Sequence, residues 1–184
     1  MDPQKSSEIS ALAGVVRESL ELSVPVDVVK AVDRLGGTVK EVEVAPGLPE
    51  AAVRRTGERF EITIRKDHVE VRKRFSVAHE IGHLILHMGY LISPERWGHS
   101  SEYCDSVYHR FGYGIEEAEA NLFAAAFLMP EEEFRGAVME LGRRKDLPSK
   151  DLVKELALQF RTSFRAALWR GEELGIFRVG VNGL

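Results

Sequence analysis

The chain has 184 residues, 44% of them hydrophobic and 29% charged, with a formal net charge of -4. That length supports one buried core without crosslinks, and the single cysteine, Cys104, excludes an internal disulfide and a cysteine-rich zinc cluster while fitting a reducing cytoplasm. The acidic balance offers no general attraction to polyanions, and neither a signal core nor an apolar run of membrane-spanning length is present, so a soluble cytoplasmic protein is expected.

Ile9, Leu12, Ala13, Val16 and Leu20 share one helical face, which predicts a first helix over 9–20. Pro25, tolerated in a helical first turn, predicts the start of a second that stops at Leu35-Gly36-Gly37. The period then shortens. Thr38 to Val44, Ala51 to Arg55 and Phe60 to Arg65 read as strands of a small antiparallel or mixed sheet, with a turn at Thr56-Gly57. Phe60, Ile62 and Ile64 should face the core and Glu61, Thr63 and Arg65 should face outward. Helical periodicity returns over 69–88 and again over 115–128, where Met129-Pro130 ends it. Between these helices, 93–114 is a long polar and aromatic connection, of a length that marks either a functional loop or an unordered one. A helix over 131–144 opens on Glu131, Glu132 and Glu133, which complement its dipole. Two more are predicted over 152–160 and 164–174, the last capped by Gly175. The order of elements predicts an α+β fold, divided into a core over 1–145 and a helical appendage over 146–184.

The chemistry concentrates in His79-Glu80-Ile81-Gly82-His83. At 3.6 residues per turn the two histidines lie one above the other on one helical face, so both imidazoles can reach a single ion. Glu80 beside them can meet a water at that ion without ligating it, the general-base position of a zinc peptidase. A catalytic zinc ion needs a third protein ligand. His87 is eight residues from His79, so the two cannot share an ion on an unbroken helix; it should line the cleft or pack. Glu116, Glu117 and Glu119 open an otherwise apolar helix, where buried carboxylates are costly unless one meets a cation. Glu117 is the preferred donor, with Asn121 at i+4 on its face to orient a ligand; Glu119 is the reserve, and Glu116 is explained by the helix dipole.

Two ordered stretches, Arg74-Phe75-Ser76-Val77-Ala78-His79-Glu80-Ile81-Gly82-His83-Leu84-Ile85-Leu86-His87 and Glu117-Ala118-Glu119-Ala120-Asn121-Leu122-Phe123-Ala124-Ala125-Ala126-Phe127-Leu128-Met129-Pro130, resemble the ImmA/IrrE family of zinc metallopeptidases. The resemblance covers roughly residues 25 to 177. It implies a minimal thermolysin-like (gluzincin) core with Zn2+ held by His79, His83 and Glu117 and with Glu80 as catalytic base. It also implies a protein substrate, a helix-turn-helix repressor whose cleavage releases mobile-element or stress genes. The chain is similar to the short prophage or mobile-element type.

A developing oxyanion would need a donor besides the metal, and Tyr103, Tyr108, His109 and Tyr113 have the right chemistry; spacing does not choose among them. An extended substrate is expected to add a strand beside Phe60 to Arg65. Residues 152–174 resemble a helix-turn-helix, with Ala157, Phe160, Ala167 and Leu168 packing and Arg161, Arg165 and Arg170 outside. Glu172, Glu173 and the acidic overall charge favour scaffolding or substrate docking over direct DNA binding. The competing reading is a DNA-binding or partner-binding regulator whose zinc site is structural or catalytically silent.

Overall fold

The computed structural model describes residues 1–43, 51–104, 114–143 and 148–177. Along them run α1 (Pro3–Ser19), α2 (Val28–Arg34), β1 (Thr38–Val42), β2 (Ala51–Thr56), β3 (Arg59–Arg65), α3 (Glu70–Leu86), α4 (Pro94–His99), β4 (Glu102–Cys104), α5 (Ile115–Leu128), α6 (Glu131–Gly142), α7 (Ser149–Gln159) and α8 (Phe164–Glu173). The mixture of helices with one small sheet is the α+β organisation expected from the sequence. No helix among the described residues is long and apolar enough to cross a membrane.

The sheet has the order β1-β3-β2-β4. β2 and β3 form an antiparallel hairpin in which Thr56 pairs with Arg59, leaving a two-residue turn whose Gly57 has a φ of 68°, a conformation that glycine adopts without steric cost. β1 runs parallel to β3, with Val39 opposite Ile62, so the sheet is mixed. Alternation specifies which face is buried but not the direction of a strand's neighbour, which is why the sequence left both forms open. Phe60, Ile62 and Ile64 are buried as predicted. Glu61, expected to face outward, is nonetheless buried beneath Lys40 and Arg54, with which it forms ion pairs. Because β3 has β1 on one side and β2 on the other, Phe60 to Arg65 has no free edge, and a substrate strand cannot add there.

Other expectations shift at their boundaries. Helix α2 starts at Val28 and not at Pro25, because Asp27 is the N-cap: its carboxylate accepts the N–H groups of Val29 and Lys30 at 3.1 and 3.0 Å. α1 begins six residues before Ile9, at Pro3, behind the Asp2 cap. The connection expected over 93–114 carries regular structure in the part that is described, 93–104, while 105–113 lie outside the described residues. Ser93 caps α4, and β4 pairs antiparallel with β2, opposite Ala52, Val53 and Arg54.

Helix α3 lies against β2 and β3 on one side and α5 on the other, and α5 in turn packs on α1. Val77, Ala78, Ile81, Leu84 and Ile85 of α3 are buried between these layers, as are Phe123, Phe127 and Leu128 of α5. The hydrophobic cluster continues without a break from Ile9 in α1 to Phe160 and Ala167 at the α7–α8 turn. That turn is also tied by polar contacts. Arg74 of α3 donates to the Arg161 carbonyl at 3.0 Å, and Arg170 of α8 donates to the Met129 carbonyl at 3.0 Å. Arg170 is therefore buried, not outside as expected; it also pairs with Glu173. Arg161 and Arg165 are exposed as expected.

Candidate metal centre

The central stretch of α3 is buried at every position from Val77 to Ile85. A helix carrying two histidines and a glutamate through a core needs a close neighbour to meet those polar groups. Gly82 provides the approach. A methyl group there would lie 3.1 Å from Ala120 Cα and 3.3 Å from both the Ala120 carbonyl oxygen and Phe123 Cβ, so the absence of a side chain lets α5 lie close against α3. Glu117, one turn before Ala120, is thereby brought to the histidines.

The three side chains converge. His79 Nε2 and His83 Nε2 are 2.9 Å apart, and the Glu117 carboxylate lies 3.4 Å from the first and 3.3 Å from the second through its two oxygens. One ligand atom from each of the three lies within 4.8 Å of the others, and all three residues are buried. Zinc bonds of about 2.0–2.2 Å at tetrahedral angles separate ligand atoms by about 3.3 Å, so the donor set fits a single small divalent ion. It is the one group of this kind among the described residues.

The electrostatics agree with the fit. Burial pushes the His83 imidazole down to about 4, reinforced by repulsion from His79 and His87 and opposed by Glu117, so its ring is neutral with a lone pair to offer. Burial acts to raise the Glu117 pKa, but hydrogen bonds and attraction from His79 and His83 outweigh it and hold the carboxyl below the usual range. A neutral imidazole and an ionised carboxylate are the forms that ligate a metal.

Around these three lies an outer set. Asn121 Oδ1 is 3.0 Å from His79 Nδ1, the orienting contact expected of it. His87 packs, the second of the two roles expected of it: its Nδ1 is 2.8 Å from His83 Nδ1, and its Nε2 is 3.3 Å from Glu119 Oε2. Glu119 also pairs with Lys5 of α1. Glu119, the reserve ligand, is thus engaged elsewhere, and Glu116 is exposed in the first turn of α5. The position of His87 one helical turn after His83 could have suggested its contact; nothing in the sequence links Lys5 to Glu119. Glu80 is fully buried beside His79. Of the four oxyanion candidates, Tyr103 falls in β4 opposite Val53, while Tyr108, His109 and Tyr113 lie outside the described residues.

A helix bearing His-Glu-x-x-His, packed on one that supplies a carboxylate to the same point, defines a site of metallopeptidase type. The chain belongs to the Peptidase_M78 family: the family model, an IrrE N-terminal-like domain, matches residues 49–170. Among solved structures it is similar to a Mycobacterium tuberculosis transcriptional regulator, with 16% identity and a TM-score of 0.55 over 89% of this chain. The chain spans 46% of that protein's length, and at this identity the likeness concerns the fold alone. No curated protein matches the sequence.

Proposed function

We propose that the protein is a cytoplasmic zinc endopeptidase that cleaves a specific protein, a helix-turn-helix transcriptional repressor, and so releases mobile-element or stress genes. The observation that carries the enzymatic part is the buried convergence of His79, His83 and Glu117 with Glu80 next in the chain to a ligand. In this reading His79 and His83 bind the ion through Nε2 and Glu117 through its carboxylate. Structural zinc sites usually close four protein ligands around the ion, often with cysteine, whereas three ligands leave a position for reaction. When bound, the ion supplies Lewis-acid chemistry, lowering the pKa of a water toward about 7 and polarising the scissile carbonyl. The Glu80 carboxylate takes the proton of the attacking water and delivers it to the leaving amine nitrogen. Asn121 keeps the His79 ring turned so that Nε2 faces the ligand cluster.

A protein substrate is supported by the family, and the repressor as that substrate by the ImmA/IrrE resemblance. We divide the chain into a metallopeptidase core over 1–145 and a helix-turn-helix-like appendage over 146–184 that docks the substrate. Burial of Arg170 removes one cation from the outward face of α8, which further disfavours direct DNA contact. The test is incubation with candidate repressors, read by mass spectrometry for a new terminus. The wild-type chain should cut, and Glu80→Gln should bind one zinc per chain without cutting. Cleavage by Glu80→Gln at the wild-type rate would remove Glu80 from the mechanism.

A further inference from the structure

The three ligand candidates account for only part of the polar material buried between α3 and α5. Behind His83, on the side away from His79 and Glu117, runs a continuous line of contacts through His87 and Glu119 to Lys5. We infer that Lys5, Glu119 and His87 are positioning residues for the metal-binding imidazole of His83, so that the N-terminal helix α1 completes the metal centre. The inference rests on the metal-site reading above.

Taken together with a cation at His83 Nε2, the contacts among these side chains are met by the following donor pattern. His83 Nε2 faces the His79 ring and the Glu117 carboxylate, so if it offers its lone pair to a cation the ring proton must be on Nδ1. The atom facing that proton, 2.8 Å away, is His87 Nδ1, which must then accept. His87 in turn carries its proton on Nε2, which faces Glu119 Oε2 at 3.3 Å. An ionised Glu119 accepts there, and its other oxygen takes the Lys5 ammonium. Glu119 thus fixes the tautomer of His87, and His87 that of His83. Were His87 to hold its proton on Nδ1 instead, two N–H groups would oppose one another behind the ligand and the His83 ring would have to turn.

Lys5 anchors this order. The Glu119 side chain is only 6% exposed, whereas that of Lys5 is 51% exposed, so the lysine supplies a cation to a buried carboxylate without being buried itself. Lys5 precedes the stretch 49–170 matched by the family model, so this last link comes from the chain's own N-terminal helix.

The experiment measures cobalt(II) affinity by competition with a chromophoric chelator, together with the visible absorption spectrum of the cobalt protein. Outer partners of ligating histidines are typically worth about 10–100-fold in metal affinity. His87→Phe and Glu119→Gln should weaken cobalt binding by about that range and alter the spectrum. Lys5→Met should shift both in the same direction by a smaller factor, and Lys5→Arg should restore them. Lys154→Met, which removes an exposed lysine on α7, should change neither. Circular dichroism of each metal-free variant reports folding. Should the buried variants fail to fold, Lys5→Met remains decisive: wild-type affinity and spectrum in that variant overturn the proposal. A wild-type chain that binds no cobalt fails the metal-site reading itself, and this inference with it.

Discussion

Removal of metal followed by mild acid should destabilise the protein through His83. Its imidazole is held down to about 4 from an ordinary 6.5, because the folded chain buries it completely. As pH falls, the unfolded chain takes up this proton near 6.5 and the folded chain only near 4. Between those values the unfolded state binds up to one proton more, so folding stability falls by up to about 1.4 kcal/mol per pH unit. From about pH 7 to about pH 5 the loss from this one group comes to about 2 kcal/mol. His87 is also depressed by burial and adds to the loss in the same direction. Glu117, held below the carboxylate range, contributes only as pH drops under its ordinary 4.5, outside the window. The assay is urea unfolding with a chelator present at several pH values, for the wild type and for His83→Gln. The difference between their slopes isolates the group, since most other titrations are common to both. Parallel pH profiles, or a wild type that gains stability in acid relative to the variant, would refute the burial argument.

Glu117→Ala should abolish stoichiometric zinc binding in equilibrium dialysis while leaving a folded chain; full retention of metal would move the ligand role to another acid. Gly82→Ala adds a methyl against the α5 backbone, a strain of about 1–3 kcal/mol offset by about 1 kcal/mol of helix propensity, so a net loss of about 1 kcal/mol is expected. That variant should also bind zinc more weakly, and a chain both more stable and unchanged in affinity would show that the helices are free to part. Phe160→Ala empties a fully buried site at the α7–α8 turn, where the ring packs 5.4 Å from Phe134. It should cost about 3–5 kcal/mol in a single cooperative unfolding transition. A separate early transition would mean that the last two helices unfold on their own.

What the sequence determined by itself is local. A four-residue spacing places His79 and His83 on one face whatever the rest of the chain does, because helix geometry is set by the backbone. Glu117 could be chosen from neighbouring acids because a charge at the start of an apolar helix needs a partner, and the structure brings that residue to the two histidines. The alternation of Phe60, Ile62 and Ile64 likewise specifies their buried face without reference to the rest of the chain. Tertiary structure decided what depends on neighbours distant in the chain. The parallel placement of β1, the strand hidden in 93–114, the burial of Arg170 and the line from Lys5 to His83 all rest on contacts between such segments. A residue's type does not specify its distant partner: arginine reads as a surface cation until a free helix-end carbonyl, here that of Met129, stands in its way. The closeness of α3 and α5, on which the convergence of His79, His83 and Glu117 depends, was encoded at Gly82, but only packing against Ala120 revealed why a side chain is missing there.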